Sequence, residues 1–183
     1  MAEPSIAPVS LAEVNEFANA EYAGALLPGG RIVPREWCAT APMRGYVISE
    51  FSRDGAVATA ETALWIHTGR TSMQLQRKLD FAYTDSSAPR GAPRAQFPPS
   101  HLTRIGSQTL TTAERTAIDL MAKDPATGVQ YALELVRSCP DCTLESIIEC
   151  SYEVRSKRNI EKVRAIFHQL ADALNSKQAS TAQ

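Results

Sequence analysis

Long apolar runs are missing from this sequence of 183 residues, and none approaches the roughly 18 residues that a membrane helix needs. The N-terminus also lacks a basic segment followed by an apolar stretch, the mark of a secretory leader. A cytoplasmic protein with no membrane partner is therefore expected. Charge of one sign is missing too: 19 basic residues stand against 20 acidic ones, so no global field announces nucleic acid or membrane. Histidine is scarce. His67, His101 and His168 are the three in the chain, and none lies four residues from another or in a His-x-Glu pairing. That excludes the spacings of metal hydrolases and leaves structural histidines as the expectation. A phosphate-cradling Walker loop, the G-x-S-x-G elbow, G-x-G-x-x-G and paired nuclease carboxylates are all absent. The serines have no base close to them in sequence. No enzyme, cofactor or metal is expected.

What is present is globular: 44% hydrophobic and 21% charged residues, the size of one ordinary domain or two very small ones. Charge is unevenly placed. Residues 1–30 carry Glu3, Glu13, Glu16 and Glu21 and no base, whereas residues 31–115 carry eleven bases against seven acids. An acidic head before a basic middle is a weak pointer to an anion met by the middle, against ordinary surface scatter. Four cysteines (Cys38, Cys139, Cys142, Cys150) without a secretory leader imply reduced thiols. Cys139-Pro-Asp-Cys142 is a C-x-x-C, but it falls between two expected helices and not at the strand–helix junction of a redox pair. A structural zinc would need a second close pair, and only Cys150 follows nearby.

The pattern predicts an α+β fold: a small mixed sheet with short helices, followed by a C-terminal helical bundle. Ser10-Leu-Ala-Glu13 has the form of a capping box and predicts a helix to about Leu27, ended by Pro28-Gly-Gly30. Arg31–Thr40 and Tyr46–Phe51 read as extended. Ala56–Thr68 reads as a short helix ending at Gly69, Leu79–Thr84 as a strand, and residues 85–100, with four prolines, as an irregular loop. His101–Leu110 is extended around a Gly106-Ser107 turn. Thr111-Thr-Ala-Glu114 reads as a second capping box, opening a helix. Asp124-Pro125 starts another helix to about Cys139, with Val129, Leu133 and Val136 inward. Asp141 or Thr143 caps a third, through Cys150. After a cap at Asn159, Val163, Ile166, Phe167, Leu170, Ala171 and Leu174 recur at helical spacing as a core-facing stripe.

Two features could bind an anion. Arg155-Ser-Lys157-Arg158 immediately precedes the last helix, whose free N–H groups and nearby cations suit a phosphate or an acidic surface as well as they suit a solvated loop. Arg31, Arg35 and Arg44 accompany Trp37 on an expected strand pair, with Arg31 and Arg35 four apart and so on one face if extended.

Three segments together resemble one family, the AbiEi-type antitoxin/transcriptional regulators of bacteria. Gly30-Arg-Ile-Val-Pro-Arg-Glu-Trp-Cys-Ala39 is similar to that family's wing hairpin. Ala58-Thr-Ala-Glu-Thr-Ala-Leu-Trp-Ile-His-Thr-Gly69 resembles a segment before a short helix. Thr111-Thr-Ala-Glu-Arg-Thr-Ala-Ile-Asp-Leu120 is close to its most recognisable stretch. In that stretch Arg115 and Asp119 lie four apart on one helical face and can pair, so Thr111, Glu114, Arg115 and Asp119 read as a structural motif. The resemblance implies a degenerate winged-helix head over residues 1–45, an α+β and helical domain over 46–175, and a disordered tail over 176–183. It implies an antitoxin whose partner is a cognate toxin of the nucleotidyltransferase type. The alternative is a DNA-binding regulator using the residual wing and the basic loop.

Overall fold

The computed structural model describes residues 24–27, 29–70, 78–84, 88–154 and 159–181. The chain divides into two compact units, Met1–Thr111 and Thr112–Gln183. The architecture is α+β: a mixed sheet with short helices, then a helical region. Six helices are found among the described residues. None is long and apolar enough to cross a membrane.

The first unit opens with a two-stranded antiparallel hairpin, β1 (Gly24–Leu27) and β2 (Arg31–Pro34). Gly24–Leu27 was expected at the end of a helix; the strand pairing corrects this, and the start of that helix lies outside the described residues. Pro34 ends β2, and Arg35–Cys38 form a 3-10 turn where extended chain was expected. Helix α1 (Ala41–Ser49) follows, and it takes in most of the stretch Tyr46–Phe51 expected to be a strand. The cause is local. The Thr40 hydroxyl accepts from the Met43 N–H, and Pro42 sits in the first turn, where its missing N–H costs nothing. The helix begun there carries through Tyr46-Val-Ile despite their strand preference.

The stretch expected as one helix over 56–68 divides in two: strand β3 (Ala56–Ala58), then helix α2 (Ala60–Thr68), ended as expected by Gly69 in the left-handed region. Strands β4 (Phe81–Tyr83), β5 (Leu102–Ile105) and β6 (Gln108–Thr111) complete a four-stranded sheet of order β4-β3-β6-β5. Only β3 and β6 run parallel, meeting at Ala58 and Leu110; the other pairs are antiparallel. Gly106-Ser107 turns the β5–β6 hairpin as expected. Val33, Val47, Ile48, Trp65, Ile66 and Leu110 form the core of this unit.

The second unit is helical: α3 (Ala113–Lys123), α4 (Pro125–Ser138), α5 (Leu144–Glu153) and α6 (Ile160–Thr181). Thr112, not Thr111, caps α3 by accepting from the Arg115 N–H, because Thr111 is the last residue of β6. Asp124 caps α4 as expected, and of the two candidates Thr143 caps α5, in a reciprocal box with Ser146. The buried face of α4 is Gly128, Ala132 and Leu135, one residue away from the expected Val129, Leu133 and Val136, which are half-buried. The small Gly128 sets this rotation. A Cβ there would lie 2.5 Å from the Met121 Cα, so α4 meets α3 backbone to backbone. On α6 the stripe is buried at Val163 and Phe167 and fades to Leu174, which is 40% exposed. Residues expected as a disordered tail continue α6 to Thr181. The break between units, at Thr111/Thr112, falls inside the stretch 46–175 expected as one domain.

Candidate partner-binding surfaces

Of the arginines nominated around the hairpin, Arg44 is turned inward. It is 7% exposed on α1, and its guanidinium donates to three carbonyls: Nε to Ile66 at 3.0 Å, NH1 to Cys38 at 2.9 Å and NH2 to His67 at 3.2 Å. Two of these end helix α2, whose last carbonyls lack intrahelical donors and carry the negative end of the helix dipole. Arg44 is thus a cap built from another helix, in place of the surface anion contact expected of it. His67 stands on the same turn, its Nε2 2.9 Å from the Thr111 carbonyl, which requires the tautomer with hydrogen on Nε2.

Arg31 is half-buried, with its guanidinium carbon 3.9 Å from the centroid of the Phe51 ring. Its NH1 is buried without a hydrogen-bond partner. Stacking on a ring face stabilises a cation by about 0.5–2 kcal/mol. Arg35 is exposed on the 3-10 turn. The two therefore do not share the face of an extended strand, because the strand stops at Pro34. Arg155, Lys157 and Arg158 lie outside the described residues.

In the second unit, Arg115 and Asp119 pair at 2.9 Å, each side chain about nine-tenths buried (11% and 9% exposed). Glu114, on the same first turn, accepts from the Ser146 hydroxyl at 3.4 Å and so ties α3 to the cap of α5. The Thr111–Leu120 motif is therefore used in two ways. Thr111 ends strand β6, and Thr112 to Asp119 start and clasp the helix that follows.

Two features were not anticipated. Gln108, 2% exposed, donates its side-chain Nε2 to Ala56 O at 2.9 Å and Thr109 O at 2.7 Å. The parallel strands β3 and β6 share only one ladder pair, so this amide bridges them where they part; its Oε1 is left buried and unbonded. Beside it a polar cleft of about 380 Å³ is lined by Ser49, Ser52, Asp54, Thr84, Ser107 and Gln108, among others. The Ser49 and Ser107 hydroxyls bond to each other across it. A glutamine amid Thr-Leu-Thr was the visible sign, but its partner lies 52 residues away. Second, burial pushes three thiols up: Cys38 to about 11, and Cys142 and Cys150 to about 12. Among the described residues no group of three or more His, Cys, Asp or Glu could hold a metal ion.

The chain matches no family model, no curated protein and no solved structure.

Proposed function

We propose that this chain is an antitoxin-like binding protein, and not an enzyme, that engages a protein partner in the cytoplasm and neutralises a nucleotidyltransferase-like toxin. The observation that carries this reading is the Thr111–Leu120 segment. Its Arg-Thr-Ala-x-Asp-Leu pattern is the most specific part of the resemblance. The Arg115–Asp119 pair gives the pattern a physical reason, since a buried clasp tolerates neither partner alone. The test is co-expression with the protein encoded next to it. The expected outcome is a nucleotidyltransferase-like neighbour whose toxicity is relieved and which co-purifies. An unrelated neighbour, with no rescue of growth, overturns the reading.

One observation favours a second reading, a DNA-binding regulator. The β1–β2 hairpin stands where the resemblance puts a wing, and Arg35 follows it exposed. This reading rests on Arg35 and on the 155–158 bases, because Arg44 is committed to the C-terminus of α2. Retention on heparin that falls steeply with salt is its expected signature; binding indifferent to salt removes it.

A further inference from the structure

The turn between α4 and α5 holds the C-x-x-C that the proposed function does not use. Cys139-Pro140-Asp141-Cys142 closes on itself through the Cys142 N–H, which donates to the Cys139 carbonyl at 3.0 Å. Pro at the second position of such a turn and Asp after it fit the commonest β-turn, in which the first and fourth Cα atoms lie within about 7 Å. A disulfide spans about 4.4–6.8 Å between Cα atoms. The spacing therefore suits a bond between the two thiols; among the described residues no group of three or more His, Cys, Asp or Glu could hold a metal ion with them. None of the four cysteines is in a disulfide.

The two thiols differ in access. Cys139 is half-buried and Cys142 is 2% exposed. Burial raises the Cys142 thiol, and the Glu114 carboxylate and then Cys139 and Cys150 add to the effect. An oxidant in solution therefore meets Cys139 first, and Cys142 is placed to close the ring behind it.

We propose that Cys139 and Cys142 are a reversible oxidation site, closing to a disulfide across the α4–α5 turn when exposed to a low-molecular-weight disulfide such as oxidised glutathione. The Cys139 thiolate attacks one sulfur of oxidised glutathione, forming a mixed disulfide and releasing one glutathione thiolate, which takes up a proton. Cys142 gives its proton to solvent and attacks the Cys139 sulfur, displacing the second glutathione. Two protein thiols are oxidised by two electrons in total, and one oxidised glutathione is reduced to two thiols. Because burial pushes the Cys142 thiol up to about 12, the closing step accelerates with pH.

The full chain is equilibrated in glutathione buffers stepped from fully reduced to fully oxidised, acid-quenched, alkylated and mapped by peptide mass spectrometry. The expected result is a loss of two hydrogen atoms located to one peptide linking Cys139 and Cys142, reversed by reduced glutathione. Closure is expected to become several-fold faster per pH unit above neutrality. The Cys139→Ser variant is expected to lose the bridge, and Cys150→Ser, checked for folding by circular dichroism, to keep it. A bridge from Cys142 to Cys150, a stable glutathione adduct on Cys139 without closure, or no oxidation across the series each overturns the proposal. Mapping of the unsubstituted chain decides the matter even where a variant does not fold.

Discussion

At the scale of single residues, two of the nominated arginines, Arg44 and Arg31, rest on carbonyls and on a ring. Arg44 is the plainest case, with three carbonyl partners and almost no exposure. Hydrogen bonds from a charged group contribute about 1.5–3 kcal/mol each, and those sharing one side chain do not add. Arg44→Met is therefore expected to cost about 3 kcal/mol in urea unfolding, with Arg44→Lys recovering only part, since an ammonium cannot reach three divergent carbonyls at once. A loss under about 0.5 kcal/mol, the range of ordinary surface changes, would mean that the cap is ornamental. The cysteines give a pH prediction. Burial raises the folded pKa of Cys142 and Cys150 from the ordinary 9.0 to about 12. Between those values the native chain holds protons that the unfolded chain has lost, so stability is complete below about pH 9 and falls as pH rises toward 12. A Cys142→Ala/Cys150→Ala variant is expected to lose stability less steeply over that range, read as the shift of the thermal midpoint with pH. Equal slopes would show that the two thiols ionise in the folded chain as they do in the unfolded one.

Elements in this protein are set by caps and by the close approach of glycines. The caps were legible in the sequence: Asp124-Pro125 and Gly69 mark their helix ends without help from the rest of the chain. Misreadings arose where a distant partner decides. Ala56–Ala58 is a strand because β4 and β6 lie on either side of it, and three apolar residues before a helix cannot announce those neighbours. The inward face of α4 turned by one residue because Gly128 meets Met121, a contact invisible to periodicity, which counts only apolar side chains. Likewise the bond from Gln108 to Ala56 and the bonds from Arg44 to α2 were unreadable, because they join segments 52 and 22 residues apart. Two substitutions test the close approaches. On α1, a Cβ at Gly45 would overlap the Ile105 carbonyl at the β5–β6 turn, and one at Gly128 would press on the α3 backbone. Overpacking costs about 1–3 kcal/mol, and because backbone rather than a pliant side chain must yield, both Gly45→Ala and Gly128→Ala are expected at the upper end. Alanine otherwise favours a helix over glycine by about 1 kcal/mol, so a stabilised Gly128→Ala would refute the packing.

For the whole molecule the question is which partner the charge distribution admits. The chain is near neutral, with an acidic head and a basic middle, and the 3-10 turn after the hairpin places one nominated arginine, Arg35, in solvent. A protein that neutralises six to ten phosphates loses affinity for duplex DNA with a logarithmic salt slope of about −0.9 per contact. Of the nominated cations, exposed Arg35 and the three bases at 155–158 would supply four contacts, for a slope of about −4 for a single chain. Titration of a fluorescent duplex at several salt concentrations is therefore expected to show weak, shallow binding. Arg35→Ala is expected to reduce the slope by about one contact, and Arg44→Lys to leave it unchanged. A complex with the proposed toxin partner, in contrast, is expected to survive salt that releases the duplex, because an apolar interface core is insensitive to screening. A slope of −6 or steeper would show that cations beyond the nominated four, exposed Arg90, Arg94 and Arg104 among those available, also meet phosphates. The hairpin would then have to be read as a working wing, and the regulator reading would displace the antitoxin one.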